Sequence, residues 1–254
     1  MRFLFVLLLC INTAWARNEP SVLLYNSVSG HVLVSQNSDN VRPLASITKL
    51  MTAIVALETG FALDREVKLN KRWGGVLPVK NYTRRELFTA MLIRSDNSAA
   101  ETLAGDFPGG RDEFIREMND RARRMGMVST HFDDASGLLA TNVSSAQDIK
   151  LLLAEAAKWP LIKELTTTQQ TEIVVPGRKK PVKVSINNTN SPLLGTFASS
   201  TVVGKTGLTS KAGWCVAMML EEHQQQYYIV VLGAKTKAER TQIVERTVQS
   251  MLKS

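Results

Sequence analysis

The chain has 254 residues, 44% of them hydrophobic and 21% charged, with a net charge of +8 at pH 7. Its two cysteines, Cys10 and Cys215, fall on either side of an apparent cleavage site, which excludes an intrachain disulfide in the processed chain. The basic balance suits an anionic polymer. Nucleic acid is the other reading, and no nucleic-acid motif supports it.

The first segment reads as an export signal. Arg2 is followed by an apolar run from Phe3 to Ile11, and Ala14-Trp15-Ala16 supplies small residues where a signal peptidase cuts, after Ala16. The run is well short of the roughly 20 residues a membrane-spanning helix needs. Leu9 before Cys10 argues against a lipid attachment site. Residues 17–254 then form a single domain, long enough for a sizeable core in two packed lobes. The expected protein is exported and carries no stable membrane anchor.

Ser21 to Asn26 and His31 to Gln36 read as strands joined by a turn at Ser29-Gly30. Pro43 precedes a predicted helix from Ala45 to Thr59, closed by Gly60, with apolar residues on nearly all sides and hence buried. Thr83 and Glu86 form a capping box for a helix to about Ile93. Further helices are expected over Ser98 to Gly105 and Arg111 to Met125, and from Ser145 to a point before Pro160. Strands follow over Glu172 to Val175, Val182 to Ile186 and Thr201 to Lys205, then an apolar hairpin of Gly213 to Glu221 with Gln226 to Gly233. Thr236 to Leu252 is a closing helix, with Ile243, Val244, Val248, Met251 and Leu252 on one side. Strands at both ends with helices between them predict an α+β fold: one antiparallel sheet, flanked by helices, with a mostly helical lobe inserted over about 61–165.

Three short motifs carry chemistry: Ser46-Ile47-Thr48-Lys49, Ser95-Asp96-Asn97 and Lys205-Thr206-Gly207. Each has decoys. Ser250 to Lys253 repeats the first pattern, and Ser35 to Asn37 and Ser38 to Asn40 repeat the second. Only one set fits in order and context: the start of a buried helix, a loop between helices, and a strand before a hairpin. A serine hydroxyl needs a base within hydrogen-bond reach. Residues three apart on a helix share a face, so Lys49 can serve Ser46. Burial and a second cation would lower the Lys49 pKa, and Lys205 is the candidate for that cation. Against this stands the bland reading of Ser46 as a helix cap and Lys49 as a solvated side chain. Asp96 reads as structural, and Gly207 as a place where a substrate backbone can approach the strand.

With these motifs, and with Pro43 to Thr52, Met91 to Asn97, Ala135 to Leu138 and Asn188 to Asn190, nearly all of Ser21 to Gln249 resembles the low-molecular-mass penicillin-binding proteins. These are serine D-alanyl-D-alanine carboxypeptidases and endopeptidases, and the likeness is greatest to endopeptidases of the penicillin-binding protein 7 type. The resemblance implies the penicillin-binding/serine β-lactamase-like fold and an acyl-enzyme on Ser46. It implies that Ser95 relays a proton to the leaving amine, that Asn97 holds the substrate amide, and that Lys205 and Thr206 bind a substrate carboxylate. The backbone N–H groups of Ser46 and Leu208 would form the oxyanion hole. Peptidoglycan peptides are the implied partners, β-lactam antibiotics the implied covalent inhibitors, the periplasm the implied location, and no cofactor is implied. Anchored carboxypeptidases of the family carry a further β-rich domain and an amphipathic tail, which this sequence lacks.

Two rivals remain. A β-lactamase shares the motifs, but no Glu-x-x-Leu-Asn segment lies between the second and third, and Glu155, Glu164 and Glu172 lack that context. A silent wall-binding protein would not need Ser46, Lys49, Ser95 and Lys205 together. His31, His131 and His223 have neither metal-ligand nor triad spacing.

Overall fold

A computed structural model describes residues 19–175, 180–197 and 200–251. The export signal expected over residues 1–16, Leu252 and most of the basic run Arg178 to Lys180 lie outside them. The chain opens with β1 (Ser21–Asn26), β2 (Val32–Gln36) and the short β3 (Arg42–Pro43). A 3-10 turn, Ala45–Thr48, leads directly into α1 (Lys49–Glu58). The single helix expected here is thus two elements, because Ala45 takes a positive φ of 47° and no side chain caps the start. Ser46 is therefore not a cap. As the apolar pattern required, Lys49 to Ala56 are all buried.

Next come β4 (Glu66–Lys68), β5 (Asn81–Thr83), α2 (Arg84–Ile93), α3 (Asn97–Gly105) and α4 (Gly110–Arg124). The Thr83–Glu86 capping box is formed in both directions. After β6 (Val143–Ser144) follow α5 (Ala146–Ala156) and α6 (Pro160–Thr167). The last is an addition to the sequence expectation: Pro160 ends one helix by starting another, since a proline at the first helical position has no N–H to leave unpaired. The strands β7 (Gln170–Val175) and β8 (Val182–Asn187) pair as their own hairpin, and α7 (Ser191–Phe197) follows.

The main sheet is antiparallel, in the order β2-β1-β11-β10-β9, with β9 at Thr201–Thr209, β10 at Gly213–Glu222 and β11 at Gln225–Ala234. Its two central strands are apolar without interruption because both faces are covered, and alternate residues point to opposite sides. Cys215, Ala217, Met219, Val230 and Leu232 pack with α1 and the helices between the strands. Val216, Met218, Leu220, Ile229 and Val231 pack under α8 (Lys237–Met251) through Val244, Val248 and Met251. Ile243, expected on that face, is only half-buried. The sheet thus presents β9 as an edge, and the Ala45–Thr48 turn lies against it.

Candidate active site

The three motifs meet where β9, the Ala45–Thr48 turn and the α2–α3 loop converge. Ser46 and Lys49 flank the junction of the 3-10 turn with α1, and Lys49 Nζ lies 2.9 Å from Ser46 Oγ. The ammonium also reaches Asn97 Oδ1 at 2.7 Å and the Ser136 carbonyl at 2.5 Å. Lys49 is fully buried, which rules out the solvated reading. Burial lowers its pKa from 10.5 to about 7, against the opposing pull of Asp134, Asp96 and Glu101. Burial is the leading cause, and the expected second cation is at hand: Lys205 and Lys49 repel each other, and burial first, then Lys49 and Arg240, hold Lys205 well below the usual lysine range.

The contacts define a direction. A neutral amine has two N–H groups and one lone pair. Asn97 Oδ1 and Ser136 O can only accept, so they take the two hydrogens. Only Ser46 can donate, so the lone pair faces its hydroxyl.

Gly207 packs against the nucleophile's own turn. A Cβ there would stand 2.8 Å from Leu44 O and 3.1 Å from Ser46 N, so glycine is required by the approach of β9 to the backbone of Ser46. This close contact is within the protein, whereas the sequence suggested an approach by substrate. Leu208 follows, half-exposed at the cleft.

Ser95 holds a left-handed backbone, φ 65°, an unusual conformation for a residue other than glycine. Its Oγ accepts from Lys205 Nζ at 3.1 Å. Asp96 is structural as read: it caps α3 through Ala99 N at 2.9 Å and accepts from Val76 N at 2.7 Å. Asn97 turns its carbonyl oxygen to Lys49, which leaves its NH2 as the group available to a ligand. Lys205 is 1% exposed and spends its remaining contact on the Thr206 carbonyl, so it stands behind the cleft wall. Thr206 Oγ1 donates to Thr189 Oγ1 at 2.7 Å.

These residues border a cavity of about 600 Å³ that includes Ser46, Ser95, Asn97, Thr206, Gly207 and Leu208. No acidic side chain lines it among the described residues. Glu155, Glu164 and Glu172 are engaged elsewhere, with Arg121, Arg85 and Lys183.

Sequence reasoning missed four participants. Asp134 is fully buried, and its carboxylate gathers the N–H groups of Ser136, Gly137 and Leu139, fixing the carbonyl that Lys49 meets. Gly137, at φ 81°, lets this turn touch Ala45 O, where any Cβ would collide. Thr189 braces Thr206. Arg240 lines the cavity from α8 with Nε and Nη2 unpartnered and its guanidinium 5.7 Å from the Trp214 ring centre. A signal for Arg240 existed: it sits four residues before Val244, on the buried stripe of its helix, where a charge is out of place.

A sequence profile of D-alanyl-D-alanine carboxypeptidases matches residues 16–236. The chain belongs to this family of serine D-alanyl-D-alanine peptidases. It is 33% identical to a D-alanyl-D-alanine endopeptidase of Pseudomonas aeruginosa over 84% of this chain and 71% of that protein. A D-alanyl-D-alanine carboxypeptidase of Bacillus subtilis is 28% identical over 89% of this chain and 60% of that one. Penicillin-binding protein D2 of Listeria monocytogenes, solved with ampicillin bound, superposes with a TM-score of 0.79 at 30% identity, covering 91% and 95% of the two chains. The penicillin-binding fold is thereby established.

Proposed function

We propose that this peptidase is an exported, periplasmic endopeptidase that opens D-alanyl cross-links between peptidoglycan peptides through an acyl-enzyme on Ser46. The observation that carries the chemistry is the buried Lys49, whose Nζ lies 2.9 Å from Ser46 Oγ and whose neutral form would turn its lone pair there. Lys49 accepts the hydroxyl proton as Ser46 attacks the carbonyl of a D-alanine. The N–H groups of Ser46 and Leu208 bind the oxyanion. The Asn97 NH2 group holds the donor peptide's carbonyl. Ser95, held by Lys205, passes a proton to the leaving amine, and water then releases the acyl group. Thr206 and Arg240 seat the carboxylate next to the leaving amine, with Lys205 adding positive charge from behind.

Penicillin, which carries a carboxylate beside its reactive amide, acylates the same serine in this reading. The cavity supplies no carboxylate to activate a deacylating water, which favours a peptidase over a β-lactamase. The endopeptidase reading rests on the relative from Pseudomonas and on a cavity larger than one alanine fills. Export rests on residues 1–16. No helix among the described residues is long and apolar enough to cross a membrane. Purified enzyme should convert cross-linked muropeptide dimers to monomers faster than it removes D-alanine from pentapeptide monomers, read by mass analysis. Trimmed pentapeptides beside intact dimers would make the enzyme a carboxypeptidase.

A further inference from the structure

The cavity extends past the seat of the first carboxylate. Thr206 is tied to Thr189, and Thr189 N donates to the Ile93 carbonyl at 3.1 Å, so segments 93–95 and 188–192 meet beyond Thr206. This outer wall adjoins Thr206, whose proposed role is to seat the carboxylate beside the leaving amine, and so belongs to the leaving-group side in that reading. It carries two exposed cations, Arg94 and Lys237. Neither has an ion pair or a side-chain hydrogen bond among the described residues, where most arginines are paired. Lys237 sits three residues before Arg240 on α8, so both project from one face.

A free D-alanine leaving group ends at its carboxylate. It fills a small part of a 600 Å³ cavity and offers nothing to Arg94 or Lys237. We infer that Arg94 and Lys237 form a second anion subsite, which binds a further carboxylate on the leaving peptide, beyond the one held by Thr206 and Arg240. The substrate class is an acidic acceptor stem, one whose leaving amine belongs to an amino acid embedded in a peptide with another free carboxylate. This rests on the endopeptidase reading and sharpens it, because the subsite acts only on cross-linked substrates. Two solvent-exposed contacts of this kind together change kcat/KM by about tenfold, and added salt weakens them.

The test uses the full processed chain, with active sites counted by penicillin titration, and reads the ratio of kcat/KM for a cross-linked dimer to that for a pentapeptide monomer. In the variant R94Q/K237Q the ratio should fall about tenfold. In the wild-type protein a dimer amidated at every acceptor-stem carboxylate except the one beside the scissile bond should show the same loss. The variant should not distinguish the two dimers. A wild-type protein that cuts both dimers equally, with a ratio unchanged in the variant, overturns the subsite and leaves the endopeptidase reading intact. A wild-type protein that cuts neither dimer overturns both.

Discussion

The helical region and the cleft both bury cations, and they treat them oppositely. Arg84 is 1% exposed, and its guanidinium is paired with Asp106 and donates to the Ala56 carbonyl at 2.6 Å. Arg111 meets Glu101 at 2.7 Å, and Arg121 bridges Glu58 and Glu155 at 2.8 and 2.7 Å. In the cleft, Lys49, Lys205 and Arg240 are as deeply buried, yet no carboxylate among the described residues touches any of them. The acids nearest Lys49, namely Asp134, Asp96 and Glu101, are occupied by backbone N–H groups or Arg111. An ion pair keeps a cation charged and inert. A buried cation without one gives up its proton readily, or waits for an anion to arrive.

Breaking the cleft first should have the largest effect. Ser46→Ala should form no covalent penicillin adduct. Lys49→Arg keeps a positive charge that cannot be removed in a protein, and should slow acylation at least about hundredfold while the circular dichroism spectrum stays native. Near-normal acylation in a folded Lys49→Arg protein would assign the base to another group.

The opposite change separates the two regions by stability. Arg84→Met leaves Asp106 buried beside Arg65 alone, and should cost about 3–5 kcal/mol in urea unfolding. The fraction that remains folded should still titrate fully with penicillin. Arg240→Gln should do the reverse. Its guanidinium has no carboxylate partner to orphan, so stability should change little, while kcat/KM falls roughly tenfold or more with the loss of a charged hydrogen bond to substrate. Equal destabilisation by both substitutions would remove the distinction.

The smallest expected effect concerns Thr189. Thr189→Val removes the hydroxyl that orients Thr206, and should raise KM a few-fold with kcat nearly unchanged, whereas Thr189→Ser restores the wild-type value. A loss confined to kcat would give Thr189 a different role.

Much of this was legible in the sequence, for local reasons. The Thr83–Glu86 box, the glycine stop at Gly60 and the all-round apolar α1 each follow from residues within a few positions of one another. The motif decoys resolve equally simply: Ser35 to Asn40 lie at the β2 edge, away from the cleft. What escaped was long-range or belonged to the backbone. The Ser136 carbonyl has no side-chain signature, and only the fold brings it to Lys49 across 87 residues. The Asp134 carboxylate has no sequence signature either, because its partners are backbone N–H groups. Lys205 was expected to face a substrate carboxylate. In the structure its ammonium meets Ser95 Oγ and the Thr206 carbonyl, and the buried cation that borders the cavity itself is Arg240, 35 residues further along the chain.

The central claim is that Lys49 is the neutral base for Ser46, and the pH dependence of acylation tests it most directly. Protonated Lys49 cannot accept the serine proton, so below its pKa the reaction is blocked, and it is released as the pH rises. With burial holding that pKa at about 7, the second-order rate constant for penicillin acylation should climb tenfold per pH unit at acid pH and level off through about pH 7. A rate that is flat from pH 5 to pH 9, or one still climbing toward the ordinary lysine value of 10.5, would contradict it.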